Sequence, residues 1–344
     1  MSATKNDTPS MTIADANAQL TAAGQMFEIE EVEIRGVMTR TWKLQPPTLG
    51  AVLELSRAHG GAAFLVYEDE RTTFAEHYRI AATLAKRLQT TFGIEQGDRV
   101  AIIMRNLPEW VMGFWAATIA GAVVVPLNAW WSGEELRYGL EDSGSKIAFV
   151  DSERAERIRP FLGGLEGFTT LIVADEHRTP ESERKAPLAV HEPQGGAPQV
   201  SEWPFQLALG EVDPEATAPV LNILPEDDAT IFYTSGTTGR PKGAVGTHRN
   251  ICTNLMNLFF LNSRGALRFG SQASLADTES KNQPAYLLSV PLFHATGCHA
   301  VMVGNIAAGG KIVMMHHFDP ERALELIERE KIATFGGVPA MVMQ

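Results

Sequence analysis

From about residue 72 the chain alternates between two spacings of apolar residues. Phe74, Tyr78, Ala81, Ala85 and Leu88 recur at intervals of three and four, the stripe of an amphipathic helix. Val100–Met104 is a short apolar run bounded by polar residues and predicts a strand. Asn106, followed by Pro108 and Glu109, predicts a helix start with an acid at the third position of a capping box. Gly121 stops that helix, and Val123–Leu127 is the next strand. Ser132 with Glu135 forms a second capping box, leading a helix with Leu136 and Leu140 inward, and Ile147–Val150 is again a strand. This βαβα order predicts an α/β fold of layered mixed or parallel β-sheets flanked by helices. Further on, Ile251, Leu255, Leu258 and Phe259 mark one face of a helix. Asp319-Pro320 opens another with Ala323, Leu324 and Ile327, and Ile332–Phe335 is a strand.

Two stretches break the alternation. Residues 176–228 hold eight of the 19 prolines and show little periodicity, so they predict a surface excursion that rejoins the domain near Asp227. Residues 262–284 read as a second polar loop. Residues 110–133 and 285–310 carry no Asp, Glu, Lys or Arg and are long enough to span a bilayer as helices. Gly121, Pro126 and Asn128 interrupt the first, and Pro291, His294, Gly297, His299 and Asn305 the second. Buried helix-and-strand units account for both, so no integral membrane segment is expected.

The length of 344 residues suggests about two domains and allows a large core. A net charge of −12 argues against nucleic acid or an anionic membrane as partner, without forbidding a local cationic site. Cys252 and Cys298 lie far apart among apolar residues and read as reduced, buried thiols of a cytoplasmic protein. The first residues carry one Lys and no continuous apolar run, so no signal peptide is expected there. Residues 1–47 read as an N-terminal extension to a domain over 48–344.

Residues 230–243 carry the chemistry. A strand, Ile231–Tyr233, runs into Thr234, Ser235, Gly236, Thr237, Thr238 and Gly239, then Arg240, Pro241, Lys242 and Gly243. Hydroxyls, glycines and a lysine at this density suit a polyphosphate. Glycines admit backbone N–H groups to phosphate oxygens, hydroxyls donate or hold magnesium, and a lysine neutralises terminal phosphates. The plain alternative is a Gly/Thr-rich hairpin loop. A Walker loop is excluded, because Lys242 precedes glycine and Gly243–Thr247 reads as a returning strand, not a helix. The segment therefore predicts strand–loop–strand.

The string YTSGTTGRPKG resembles the signature of the adenylate-forming (AMP-binding) superfamily, which includes acyl-CoA synthetases, peptide-synthetase adenylation domains and luciferases. TTFAEHYRIAATLAKRL with GIEQGDRVAI, AGAVVVPLNAWWSGEELRYGLEDSGSKIAFVD, and PLFHATG at 291–297 resemble further blocks in the family's order. The resemblance implies the N-terminal large domain of such enzymes, here an acyl-CoA synthetase or fatty-acid–CoA ligase. It implies ATP-dependent joining of a carboxylic acid to AMP, then transfer to CoA. By position, Thr234, Ser235, Gly236, Thr237, Thr238, Gly239 and Lys242 hold ATP, and Thr237 holds Mg2+. His294, Thr296 and Gly297 meet the acid, and Lys242 and His294 serve catalysis. His294 in an apolar block is otherwise a hydrogen-bonded core residue, and with the motif a positioning role is favoured. Blocks that complete the family's magnesium, ribose and C-terminal lysine sites are not in the sequence. With the apolar half-turn Val338–Met343 at its end, the chain is expected to be truncated before the C-terminal domain and inactive alone. The implied partners are a fatty or other carboxylic acid, ATP and CoA, with a homodimer left open. Activation of an aryl acid and a non-catalytic nucleotide- or acyl-binding fragment are the alternatives.

Overall fold

A computed structural model describes residues 9–175, 200–234, 239–269 and 283–337. Alternation along the strands decides which layer each side chain joins. In the larger, seven-stranded sheet the order is β11 (Lys242–Thr247), β10 (Asp228–Thr234), β6 (Val123–Pro126), β5 (Arg99–Ile103), β7 (Ser145–Asp151), β8 (Thr170–Ala174) and β9 (Ser201–Pro204). Its strands are parallel except for the β10–β11 hairpin. Val100 and Ile102 point to one face of β5, Ala101 and Ile103 to the other, and all four are fully buried. Both faces must therefore be covered, which is why β5, β6 and β7 read as unbroken apolar runs.

The second sheet runs β14 (Thr334–Gly336), β12 (Ala285–Leu288), β13 (Lys311–Met314), β3 (Ala63–Tyr67) and β4 (Glu70–Thr73). One apolar core joins the facing sides of the two sheets, drawing on Phe64, Leu288 and Met314 from the smaller sheet and on Ile102, Val124 and Phe149 from the larger. Helices α2 (Leu49–Ser56), α3 (Phe74–Thr90), α4 (Pro108–Ile119), α7 (Phe205–Leu209), α8 (His248–Arg268) and α9 (Val303–Ala308) contribute to this layer. Helices α5 (Gly133–Ser143) and α6 (Ser152–Ile158) cover the outer face of the seven-stranded sheet, and α10 (Pro320–Glu330) that of the five-stranded one. Helix α4 is buried on every side, with Trp110, Phe114 and Trp115 fully enclosed, which accounts for its membrane-like composition. Among the described residues no helix is long and apolar enough to cross a membrane.

The N-terminal residues form α1 (Ile13–Leu20) and a separate antiparallel hairpin, β1 (Ile29–Ile34) with β2 (Val37–Trp42). Phe27, Trp42 and Phe260 of α8 make an aromatic cluster there, and the Trp42 Nε1 donates to Asn257 Oδ1 at 2.9 Å.

Four local expectations differ from the structure. Asn106 does not cap α4: the N-cap is Leu107, and the Asn106 side chain reaches across to the loop after β12. Within the proline-rich stretch, Ser201–Pro204 adds an edge strand to the larger sheet and α7 buries Phe205, Ala208 and Leu209, while 176–199 lie outside the described residues. Helix α8 continues to Arg268, well into the expected loop. Leu324 faces solvent at 68% exposure, and Leu326 takes the inward place. Cys252 and Cys298 are both free and buried, and burial pushes the Cys252 thiol up to about 12.

Helix α10 is tied down by charge. Glu330, its last residue, accepts from Arg71 of β4 through both oxygens (2.6 and 3.0 Å) and from Lys311 of β13 at 2.8 Å. Arg71 first, and then Lys311, hold the Glu330 carboxyl down at about 2 against the opposing cost of burial. A carboxyl depressed from 4.5 stabilises the fold above that value, and the contribution disappears as pH falls towards 2. Glu330→Gln is therefore expected to cost about 2 kcal/mol at neutral pH and to flatten the pH dependence of stability between 4.5 and 2. Urea unfolding at several pH values reads both effects.

Candidate functional site

The hairpin β10–β11 pairs in register from Asp228↔Thr247 to Thr234↔Lys242, and α8 starts only after Thr247 caps it. The segment is thus strand–loop–strand followed by a helix. Ser235, Gly236, Thr237 and Thr238, and with them the expected magnesium ligand Thr237, lie outside the described residues. Thr234 and Lys242 stand opposite each other at the hairpin mouth, both exposed, with Thr234 Oγ1 donating to the Lys242 carbonyl at 3.4 Å. Gly239 has φ +127°, a conformation that excludes ordinary side chains. At Gly243 a Cβ would approach Ile231 Cγ2 to 2.7 Å, so glycine lets the two arms close.

Residues 291–297 form the loop after β12. Asn106, at the carboxyl end of β5, donates through Nδ2 to the Val290 carbonyl (3.0 Å) and accepts at Oδ1 from the Leu292 amide (2.9 Å). This amide bridge pins the loop of one sheet to the strand end of the other. The His294 amide closes a turn onto the Pro291 carbonyl at 3.1 Å. From Thr296 to Met302 the backbone winds as a π-helix, a rare form that is frequent at functional sites, before α9 continues it. The start of that winding lies against Pro291, where a Cβ on Gly297 would sit 2.3 Å from the Pro291 carbonyl oxygen. Gly297 is buried, whereas His294 and Thr296 are exposed. Partial desolvation lowers the His294 pKa, so the ring favours its neutral form.

The two motifs meet through one aromatic contact. Phe232 of β10 packs edge-on against His299, with ring centroids 4.9 Å apart. Burial lowers His299 to about 4, so it is neutral at physiological pH. A cleft of 160 Å³ opens at the carboxyl ends of β5, β12 and β13, lined among others by Arg105, Trp130, Phe293, His316 and Phe318. Strand carboxyl ends are where open α/β sheets place ligands. The sequence reading missed Asn106 in its bridging role, because an Asn just ahead of Pro108 looks like a helix cap. It also missed Tyr138 and Asp142 of α5, which contact the hairpin. Their spacing of four on one helix face was the available signal.

The family model for AMP-binding enzymes matches residues 54–344, and the chain belongs to that family. It is 31% identical over 283 residues to feruloyl-CoA synthase from an Amycolatopsis species, covering 82% of this chain and 45% of that protein. Long-chain-fatty-acid–CoA ligase FadD13 of Mycobacterium tuberculosis (strain CDC 1551 / Oshkosh) is 30% identical over 276 residues, covering 80% and 46%. The chain thus spans about half the length of the curated relatives it matches. Among solved structures, the inhibitor-bound N-terminal domain of FACL13 from Mycobacterium tuberculosis superimposes with a TM-score of 0.64 at 26% identity, over 87% of this chain and 64% of that one. The relatives are acid–CoA ligases acting on both aryl and fatty acids, and the fold is that of the N-terminal domain of adenylate-forming enzymes.

Proposed function

We propose that this chain supplies the phosphate-binding hairpin and part of the acyl site of an AMP-forming acid–CoA ligase. The observation that carries the reading is the exposed pair Thr234 and Lys242 at the hairpin mouth, tied through Phe232 and His299 to the loop bearing His294. A cation and a hydroxyl beside a turn that only glycine fits suit the β- and γ-phosphates of ATP. Ser235, Gly236, Thr237, Thr238 and Gly239 complete the loop in this proposal. Bound at Thr237, Mg2+ would neutralise charge on the departing pyrophosphate.

In the first half-reaction a carboxylate oxygen bonds to the α-phosphorus of ATP, and the bond to the β-phosphate oxygen breaks. Lys242 stabilises the charge gathering on that oxygen and its neighbours. His294, exposed and with its charged form disfavoured by partial desolvation, orients the carboxylate, and Thr296 and Gly297 border the acid. In the second half-reaction the CoA thiol takes the acyl group and AMP leaves. A fatty acid is the proposed substrate class. An aryl acid is the second reading, favoured by the 31% identity to feruloyl-CoA synthase. The two free cysteines fit a cytoplasmic setting.

The test is acid-dependent ATP–pyrophosphate exchange and thioester formation by the full-length protein, with ferulate, decanoate and palmitate offered separately. Exchange with thioester formation supports the reading. Exchange without a thioester overturns the ligase assignment, and absence of ATP binding leaves the non-catalytic alternative.

A further inference from the structure

The hairpin that carries Lys242 joins its sheet through β10 alone, because β11 is the edge strand. Strand β10 pairs with its parallel neighbour β6 at a single position, Thr230↔Val124, near its start. The ladder with β11 continues four residues beyond it, to Thr234↔Lys242. Strand β11 is the sheet edge, and Lys242, Gly243, Ala244 and Val245 are all exposed. Backbone hydrogen bonding to the core thus stops before the end of the hairpin where phosphate would sit.

Side chains from one helix take over. The Tyr233 hydroxyl donates to Asp142 Oδ2 at 2.6 Å, and the Tyr138 hydroxyl donates to the Pro241 carbonyl at 3.0 Å. The Arg240 guanidinium lies over the Tyr138 ring at 5.2 Å, and Trp131 packs edge-on against Tyr233 at 5.8 Å. Tyr138 and Asp142 are four residues apart on α5 and so share a face. One grips the β11 arm and the other the β10 arm. Helix α5 can come this close because Gly139, between them, sits where a Cβ would lie 2.9 Å from Leu127 and 3.1 Å from Trp131.

We infer that Tyr138 and Asp142 are positioning residues that fix the phosphate-binding end of the hairpin, acting through Pro241 and Tyr233 without touching the nucleotide. The inference rests on the proposed reading of the hairpin mouth at Thr234 and Lys242 as phosphate-binding. Each grip is one hydrogen bond in a half-exposed setting, so losing either is worth a factor of ~10 in ligand affinity at most.

The test uses the full-length protein as wild type, Tyr138→Phe, Asp142→Ala and Asp142→Asn. Calorimetry measures the dissociation constant for ATP with magnesium, and amide hydrogen exchange is followed over residues 242–247. Asp142→Asn keeps an acceptor for Tyr233 while removing the same charge as alanine, so it separates the hydrogen bond from electrostatics. Expected is ~10-fold weaker ATP binding in Tyr138→Phe and Asp142→Ala. Recovery to within ~2-fold in Asp142→Asn is expected too, with faster exchange in the first two variants confined to the hairpin. Wild-type affinity and wild-type exchange in both disruptive variants overturn the inference. So does an Asp142→Asn variant as impaired as alanine. A wild type that binds no ATP defeats the phosphate reading instead. The exchange rates then decide by themselves whether α5 holds the hairpin.

Discussion

Lys242→Ala is expected to slow acyl-adenylate formation by ~100-fold while leaving acid binding within ~2-fold. The lysine sits at the hairpin mouth, opposite Thr234 and free of any carboxylate partner among the described residues. Its charge is therefore available to a ligand. On the proposed reading that charge is needed most where negative charge builds up, on the leaving pyrophosphate, so its loss falls on the transition state more than on the ground state. Lys242→Arg restores charge but not shape, since a forked guanidinium replaces a point charge, and partial recovery is expected. Single-turnover formation of the adenylate, beside equilibrium binding of the acid, separates the two effects. An unchanged rate in Lys242→Ala removes this residue from the chemistry.

Gly297→Ala is expected to give the largest loss of stability of any single methyl addition near the site, about 3 kcal/mol or more. The added carbon would sit 2.3 Å from the Pro291 carbonyl oxygen and 2.8 Å from its carbon, both backbone atoms that no rotamer change can move aside. The loop is not free to retreat. Asn106 holds it at Val290 and Leu292 from the neighbouring sheet. Relief must come from unwinding the π-helix or from tearing the asparagine bridge, and either displaces His294 and Thr296. Denaturant titration measures the loss, and a midpoint equal to that of the wild type shows that the contact relaxes more cheaply than argued. Gly304→Ala, inside α9 where a Cβ meets nothing within 4 Å, is the control and should be neutral or stabilising by up to about 1 kcal/mol, alanine being the better helix former.

How far the sequence revealed the molecule depends on the range of the interaction involved. Helices and strands with a regular apolar period were legible: the stripe Phe74 to Leu88 and the Ser132–Glu135 capping box both appear as read. The returning strand after Gly243 was legible too, because the apolar helix stripe begins only beyond Thr247. Asn106 was not. Its short polar side chain serves equally as a helix cap or as a bridge to a distant backbone, and only the packing of the second sheet against β5 selects the bridge. The edge strand Ser201–Pro204 escaped for a related reason. Its pairing with β8 is set by a neighbouring chain segment, and its proline and polar residues suppress the local signal. At the candidate site, motif strings named Lys242 and His294 as candidates, whereas the spacing of Tyr138 and Asp142 on one face of α5 does not say which segment that face meets.

The five-stranded sheet has a consequence for how the chain is made. Its strand β3 pairs with β4 in a local hairpin, but its other edge waits for β13, with Leu65 opposite Ile312. These partners are roughly 250 residues apart, so at 5–20 residues per second the ribosome delivers the second some tens of seconds after the first. Phe64 and its neighbours, fully buried in the finished molecule, spend that interval without their sheet. The seven-stranded sheet carries no such delay across β5, β6 and β7, whose pairings close within a few tens of residues. Vectorial synthesis therefore favours early assembly of that half, leaving β3 an exposed apolar edge on the nascent chain and a natural point of engagement for chaperones.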